Sequence, residues 1–256
     1  MTDKTVLTER NGRIATLRLN RPAAMNALTA DMLSLLGDEL EAIAGDKGIS
    51  VVVLTGEGRA FTAGVDLKAL RDSGQDLTEG NVGDALNGAA RWVQQLIERM
   101  PQCVIAKVNG FCFTGGVELM LACDIIIAAE EAKFGDTHAM IGLRPTWGMT
   151  QRLGRKVGMQ RARELSFTAR TITGVEAAAY GLAMEAVPLA QLDSRVDELA
   201  QAIAKNSPGS IAAYKDLYRK SENAGLDAGL AYEYETKYEI ADVRERMAEI
   251  LKRLGG

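Results

Sequence analysis

The sequence predicts an α/β fold that gives way to an α-helical C-terminal region. Three observations carry that prediction. Short runs such as VVVLT (51–55) and CVIAKVN (103–109) are almost continuously apolar, which suits strands covered on both faces. They alternate with segments whose apolar residues recur at helical spacing. Beyond Trp147 the strand signals fade and helical patterns take over.

Each element has its own justification. TVLTER and RIATLRLN alternate apolar and polar residues about Asn11-Gly12, a dipeptide suited to a type I′ hairpin turn. Thr29 is placed to N-cap a helix whose Met32, Leu33, Leu35, Leu36, Leu40 and Ile43 share one face. The polar, glycine-rich stretch 72–83 predicts a mobile surface loop. A helix from Asp84 to Met100 is stopped by Pro101, and CVIAKVN then forms a buried strand. A glycine turn leads into the helix GGVELMLAC, and DIIIAA is the next strand. Thr173 and Glu176 have the spacing of a capping box, with Gly181 able to end that helix. From Gln191 to Leu254 three or four amphipathic helices are expected, punctuated at Ser207-Pro208-Gly209 and Gly225. The predicted division is an α/β core over 1–190 and a helical region over 191–256, with no short-period repeat and no disordered linker.

Charge and cysteine usage narrow the function. A net charge of −4 gives no global basic field for nucleic acid. The stretch Arg144 to Arg170 holds seven Arg/Lys and one acid, Glu164, and reads either as a solvated helix face or as a rim for an anionic ligand. Cys103, Cys112 and Cys123 are odd in number with no C-x-x-C spacing, so neither a disulfide framework nor a zinc site is expected. The N-terminal stretch lacks the apolar segment of a signal peptide. VELMLACDIIIAA is broken by Glu118 and Asp124 and is too short to cross a bilayer. The expectation is a cytoplasmic protein with no membrane segment, no nucleic-acid partner and no metal.

Two stretches carry chemistry. GEGRAFTAGVDLKAL (56–70) is a glycine-rich connection leaving an apolar strand, and could be a tight turn or a loop that points backbone N–H groups into a cleft. VNGFCFTGGVELMLACDI (108–125) places Gly115-Gly116 at a helix start, where free N–H groups favour negative charge. Glu118 lies one turn inside among apolar neighbours, and burying a lone carboxylate is costly, so it either pairs with a cation or does chemistry. Together the two loops could supply two N–H donors to one oxygen, an oxyanion hole for an enolate.

These stretches resemble known motifs. AFTAGVDLKAL is similar to the A-F-x-A-G-A-D-[IL]-K-x-[LM] motif of the enoyl-CoA hydratase/isomerase (crotonase) superfamily. VNGFCFTGGVELMLACDIIIAAEEAKFG, RPAAMNAL (21–28) and PTWGMTQRL resemble further motifs of that superfamily, in the same order. The resemblance implies a crotonase-like ββα spiral core, a helical trimerisation region, and a homotrimer or homohexamer. It implies an acyl-CoA thioester substrate, coenzyme A being part of the substrate, with no separate cofactor. Its carbonyl oxygen would be held by the N–H groups of Val65 and Gly115. Ala63 and the run Val65, Asp66, Leu67 and Lys68 would line the CoA channel, Lys68 near the phosphates, Ala24 near the adenine and Lys252 reaching CoA from a neighbouring subunit.

Two positions depart from the pattern. The resembled hydratases use two glutamates; Glu118 matches one, and His138, in KFGDTHAMIG, stands at the other. The only histidine of the chain therefore changes from a core or surface residue to a candidate partner for the attacking water. Trp147 stands where small residues are usual, and either narrows the acyl pocket or packs the helix beneath. Hydration of a 2-enoyl-CoA by Glu118 and His138 is the expected activity. An isomerase using Glu118 alone, a thioester hydrolase or decarboxylase, and a non-catalytic acyl-CoA binder are the alternatives.

Overall fold

A computed structural model describes residues 4–77 and 80–254. Its strands form two sheets. The larger is built from β1 (Val6–Asn11), β2 (Ile14–Leu19), β3 (Val51–Gly56), β5 (Cys103–Val108), β7 (Ile125–Ala129) and β10 (Glu185–Val187), in the order β1-β2-β3-β5-β7-β10. The smaller is β4 (Ala60–Thr62), β6 (Phe111–Phe113), β8 (Lys133–Gly135) and β9 (Ile172–Thr173), in the order β4-β6-β8-β9. β3 to β4, β5 to β6 and β7 to β8 thus repeat one move: the first strand of each pair joins the large sheet and the second the small one. That is a spiral of ββα turns. The sequence hides the repeat because β3, β5 and β7 begin at 51, 103 and 125, so the turns have unequal lengths.

The helices are α1 (Ala30–Ala44), α2 (Leu67–Asp72), α3 (Asp84–Arg99), α4 (Gly115–Met120), α5 (His138–Ile141), α6 (Met149–Val157), α7 (Met159–Thr168), α8 (Gly174–Ala179), α9 (Leu189–Ala204), α10 (Pro208–Ser221), α11 (Leu226–Glu235) and α12 (Val243–Leu254). Thr29 caps α1 by accepting from Met32 N–H, and every apolar residue assigned to its inner face is buried except Leu35. The capping box of Thr173 and Glu176 is present. α9 runs through residue 191 and packs on the large sheet.

Three expectations need correction. The β1–β2 hairpin forms, but Asn11 pairs with Ile14, so its loop is Gly12-Arg13. Only Gly12 of these two has positive φ, whereas a type I′ turn needs it at both central residues. The helix expected over GGVELMLAC is regular only to Met120, and its last residues turn to deliver Asp124 to Val104 N–H. Of the stretch 72–83, Asp72 closes α2, residues 78 and 79 lie outside the described residues, and 80–82, though at the surface, border a cavity.

All three cysteines are free and buried, and burial pushes each thiol well above its ordinary value, Cys103 to about 12. Among the described residues no helix is long and apolar enough to cross a membrane. Nor does any group of three or more His, Cys, Asp or Glu side chains there suit a metal ion.

Candidate active site

β4, β6 and β8 are adjacent and parallel, so they end side by side at Thr62, Phe113 and Gly135. The chain leaving each strand enters one region: 63–65 from β4, 114–118 from β6 and 136–138 from β8. A cavity of about 480 Å³ lies there, lined by Ala63, Val65, Gly115, Glu118, His138 and Trp147 among others. The two loops and the histidine singled out in the sequence are thus brought together by the small sheet.

The glycine loops touch. Gly64 has φ +90°, and a Cβ there would fall 2.7 Å from Phe113 O and 3.3 Å from Gly115 N. Val65 pairs with Leu28 through its neighbours: Leu28 N–H donates to Gly64 O (2.7 Å) and Asp66 N–H to Leu28 O (2.9 Å). Val65's own N–H therefore points away from Leu28. Gly115 is the first residue of α4, so its N–H has no acceptor within the helix. It follows Thr114, a β-branched residue at φ +48°, a conformation costing about 1–3 kcal/mol. Thr114 is held by its N–H to Gly135 O (2.8 Å) and by a hydroxyl contact with Thr137, which ties the β6 exit to the β8 exit.

Glu118 is buried at 2% exposure with its two oxygens in different employment. Oε1 accepts from the backbone N–H of Trp147 (2.9 Å) and of Met149 (3.1 Å). Oε2 lies 3.7 Å from His138 Nε2. Burial pushes the Glu118 carboxyl up, an effect only partly offset by the nearby imidazole and the two N–H donors. On its far side, His138 Nδ1 is 2.7 Å from Asp136 Oδ1. Burial would raise the Asp136 carboxyl, but hydrogen bonds from His138 and Ser166 more than offset it and hold it below the usual carboxylate range.

Trp147 points inward. Its ring packs over Gly115, its Nε1–H donates to Asn87 Oδ1 (2.8 Å), and Thr146 Oγ1 donates to the same oxygen (3.1 Å). The sequence showed no role for Asn87, which lies a continent of chain away on α3. Asp136 did leave a signal, since a carboxylate two residues before a histidine in a loop can fold back onto the ring.

Of the remaining candidates, Leu67 lines the cavity and the others sit elsewhere. Asp66 accepts from Ala69 N–H (2.9 Å) and pairs with Arg21 (2.9 Å), so its carboxylate braces the loop. Ala24 is on a short 3-10 turn, and neither it nor Lys68 nor Lys252 is in the cavity wall. Asn26 explains the RPAAMNAL stretch: its amide donates to Glu57 O (2.9 Å) and Ala60 O (2.7 Å), anchoring the first glycine loop. In the basic stretch, Arg152 pairs with Glu98, Arg155 with Glu222, and Arg161 and Arg170 with Glu164, while Arg144 lines the cavity.

Comparison with known proteins identifies the family. The model of the enoyl-CoA hydratase/isomerase family matches residues 9–252. The chain belongs to that family, within the crotonase superfamily. A probable peroxisomal enoyl-CoA hydratase 1 of Arabidopsis thaliana is 36% identical over 225 residues, 88% of this chain and 82% of the relative. The crystal structure of an enoyl-CoA hydratase from Bacillus anthracis superposes with a TM-score of 0.85 at 36% identity, covering 90% of this chain and 88% of that one. A monofunctional enoyl-CoA isomerase from Mycobacterium smegmatis gives 0.77 at 30% identity, covering 91% and 100%. The family thus holds both hydratases and isomerases, and the arrangement around Glu118 has to discriminate between them.

Proposed function

We propose that the protein adds water across the Cα=Cβ bond of a 2-enoyl-CoA thioester. The observation that carries this reading is Glu118 Oε2 facing His138 Nε2 at 3.7 Å in the cavity lined by Val65 and Gly115. The thioester oxygen accepts the N–H groups of Val65 and Gly115, which stabilise the charge that develops there as the enolate forms. His138 Nε2 holds the attacking water and takes its proton while the water oxygen bonds to Cβ. Glu118 Oε2 supplies the proton that Cα gains, and transfer between the two side chains restores the starting state. This chemistry asks for no metal and no redox group. The wall formed by Ala63, Val65 and Leu67 is where the pantetheine arm would enter.

The isomerase reading is favoured by one feature, a Glu118 carboxylate with one free oxygen at the cavity and no second glutamate among the described lining residues. Glu118 alone could move a proton from C2 to C4. Incubation with 2-enoyl- and 3-enoyl-CoA thioesters followed by mass analysis separates the readings. Gain of one water supports hydration, a shifted double bond at unchanged mass supports isomerisation, and binding without change supports a non-catalytic acyl-CoA binder.

The proposed assembly is a homotrimer or a pair of trimers. α11 and α12 leave Leu226, Leu230, Met247, Leu251 and Leu254 at least half exposed in the single chain, an apolar surface suited to a subunit contact. Light scattering on the purified protein reads the assembly directly.

A further inference from the structure

We infer that Asp136 is a positioning residue that holds His138 as its Nδ1–H tautomer, so that the Nε2 lone pair faces Glu118 Oε2 and the cavity. Three observations and one chemical rule lead there. Asp136 Oδ1 accepts from both the backbone N–H of His138 (3.3 Å) and its ring Nδ1 (2.7 Å), so one oxygen fixes main chain and ring together. Asp136 and His138 are both buried, at 6% and 8% exposure, so little of either side chain is open to bulk solvent. Ser166, from α7, lies beside the Asp136 side chain and helps hold its carboxyl low. An ionised carboxylate only accepts, so the nitrogen beside it must carry the hydrogen.

The other ring nitrogen inherits its state from that bond. In the neutral ring only one nitrogen is protonated, so a proton fixed on Nδ1 leaves Nε2 as an acceptor. The opposite tautomer would turn an N–H toward Glu118 and leave nothing to accept a proton from water. The groups facing the ring are Asp136 on its own segment and Glu118 from α4, with Asp84 and Arg144 further along the cavity wall. Asp136, His138 and Glu118 therefore form a line in which Nδ1–H faces Asp136 and the Nε2 lone pair faces Glu118 Oε2. The bland alternative is that Asp136 only caps the single turn α5, which would leave the ring free to adopt either tautomer.

The effect on turnover rests on the hydratase reading; the tautomer does not. Because His138 is the only histidine, ring-15N-labelled protein gives one imidazole and needs no assignment. Long-range 1H–15N correlation at alkaline pH is expected to show Nδ1 protonated and Nε2 bare in the parent. Asp136→Ala should shift the ring to the Nε2–H form or a mixture, and lower hydration turnover by about tenfold or more with little change in KM. Asp136→Asn, which keeps the shape and can still accept, should fall between the two and serves if the alanine variant does not fold. A parent ring protonated on Nε2, or one whose tautomer ignores the loss of the Asp136 side chain, overturns the inference. The expected tautomers in a protein that hydrates no enoyl-CoA would sustain this inference and remove the functional reading instead.

Discussion

Trp147 grips Glu118 through its backbone and walls the cavity with its ring. The N–H donates to Glu118 Oε1 at 2.9 Å, and the indole packs over Gly115 and reaches Asn87. A residue that seemed only to take up room thus fixes which carboxylate oxygen is free. With Met149 N–H on the same Oε1, the free oxygen is Oε2, the one facing His138.

Glu118→Gln tests that division of labour. The amide oxygen can replace Oε1 and its NH2 can replace Oε2, so the fold and thioester binding should persist while turnover falls about 10²–10⁴-fold. Stability should move the other way. The folded Glu118 carboxyl is raised above its ordinary 4.5, so the native parent binds more protons than the unfolded chain between 4.5 and that raised value. The parent therefore loses stability as pH rises through this window, and glutamine does not. Thermal midpoints against pH should show the variant's advantage growing above 4.5 and absent below it. A constant gap would mean that Glu118 is not strained by its charge.

Val65 is assigned a role through its backbone alone. Val65→Ala should be mild, whereas Val65→Pro deletes the N–H and should cost about 10²–10³ in kcat. CoA affinity measured beside it guards against a merely distorted loop. Unimpaired turnover in the proline variant would remove Val65 from the oxyanion site.

How much of this was legible beforehand differs by residue. Glu118 stood out because a carboxylate flanked by Val117, Leu119 and Met120 demands an explanation, and the two glycine loops were visible as interrupted apolar patterns. His138 was found through a motif position and not through its surroundings. The direction of Trp147 could not be read, since either face of its turn accepts an indole. Asn87 was invisible because its partners, Thr146 and Trp147, are about sixty positions away. The spiral was hidden by unequal spacing, and the hairpin loop was misplaced by one residue because the register depends on pairing between strands.

Gly115→Ala should be harmful for a reason local to one contact. The added Cβ would lie 2.6 Å from Trp147 Cζ3 and 3.2 Å from Cε3, so the indole must move, which disturbs both the cavity wall and its bond to Asn87. Overpacking of this kind costs about 1–3 kcal/mol, with turnover falling further than stability alone explains. Trp147→Leu in the same chain removes the obstructing ring and should return part of the lost stability. Strictly additive losses in the double variant would show that the clash is not the cause.

Lys215→Met addresses stability without chemistry. Lys215 Nζ donates to Ile97 O (2.7 Å), Gln102 O (2.9 Å) and Asp124 Oδ2 (2.8 Å), joining α10 to the C-terminal end of α3 and the start of β5. Asn87 and Ile97 are ten residues apart on α3, which at about 1.5 Å per residue puts this anchor some 15 Å along the helix from the cavity. Losing the ammonium should cost up to about 3–5 kcal/mol in denaturant unfolding while kcat of the folded enzyme stays near the parent. A selective loss of kcat would tie the anchor to the site.

The strongest test of the pair is to convert it into two carboxylates. His138→Gln keeps a group that can hold water but takes no proton from it, so hydration should fall while any double-bond migration by Glu118 continues. His138→Glu looks like the substitution that restores the family's two glutamates, yet Asp136 stands in its way. In the parent Asp136 Oδ1 lies 2.7 Å from the ring that shelters its charge. A glutamate there would bring a third carboxylate into a buried site already holding Asp136 and Glu118, and like charges at such range raise one another's pKa or push apart. The single variant should therefore hydrate more slowly than the parent and melt earlier, most markedly at alkaline pH, where all three acids are ionised. Adding Asp136→Asn removes the conflicting charge while keeping an acceptor for the backbone N–H of residue 138. The double variant should regain hydration and stability beyond what the two single changes predict by addition. Additivity across that cycle, or a His138→Glu enzyme as fast as the parent, would show that Asp136 does not govern what this position can do.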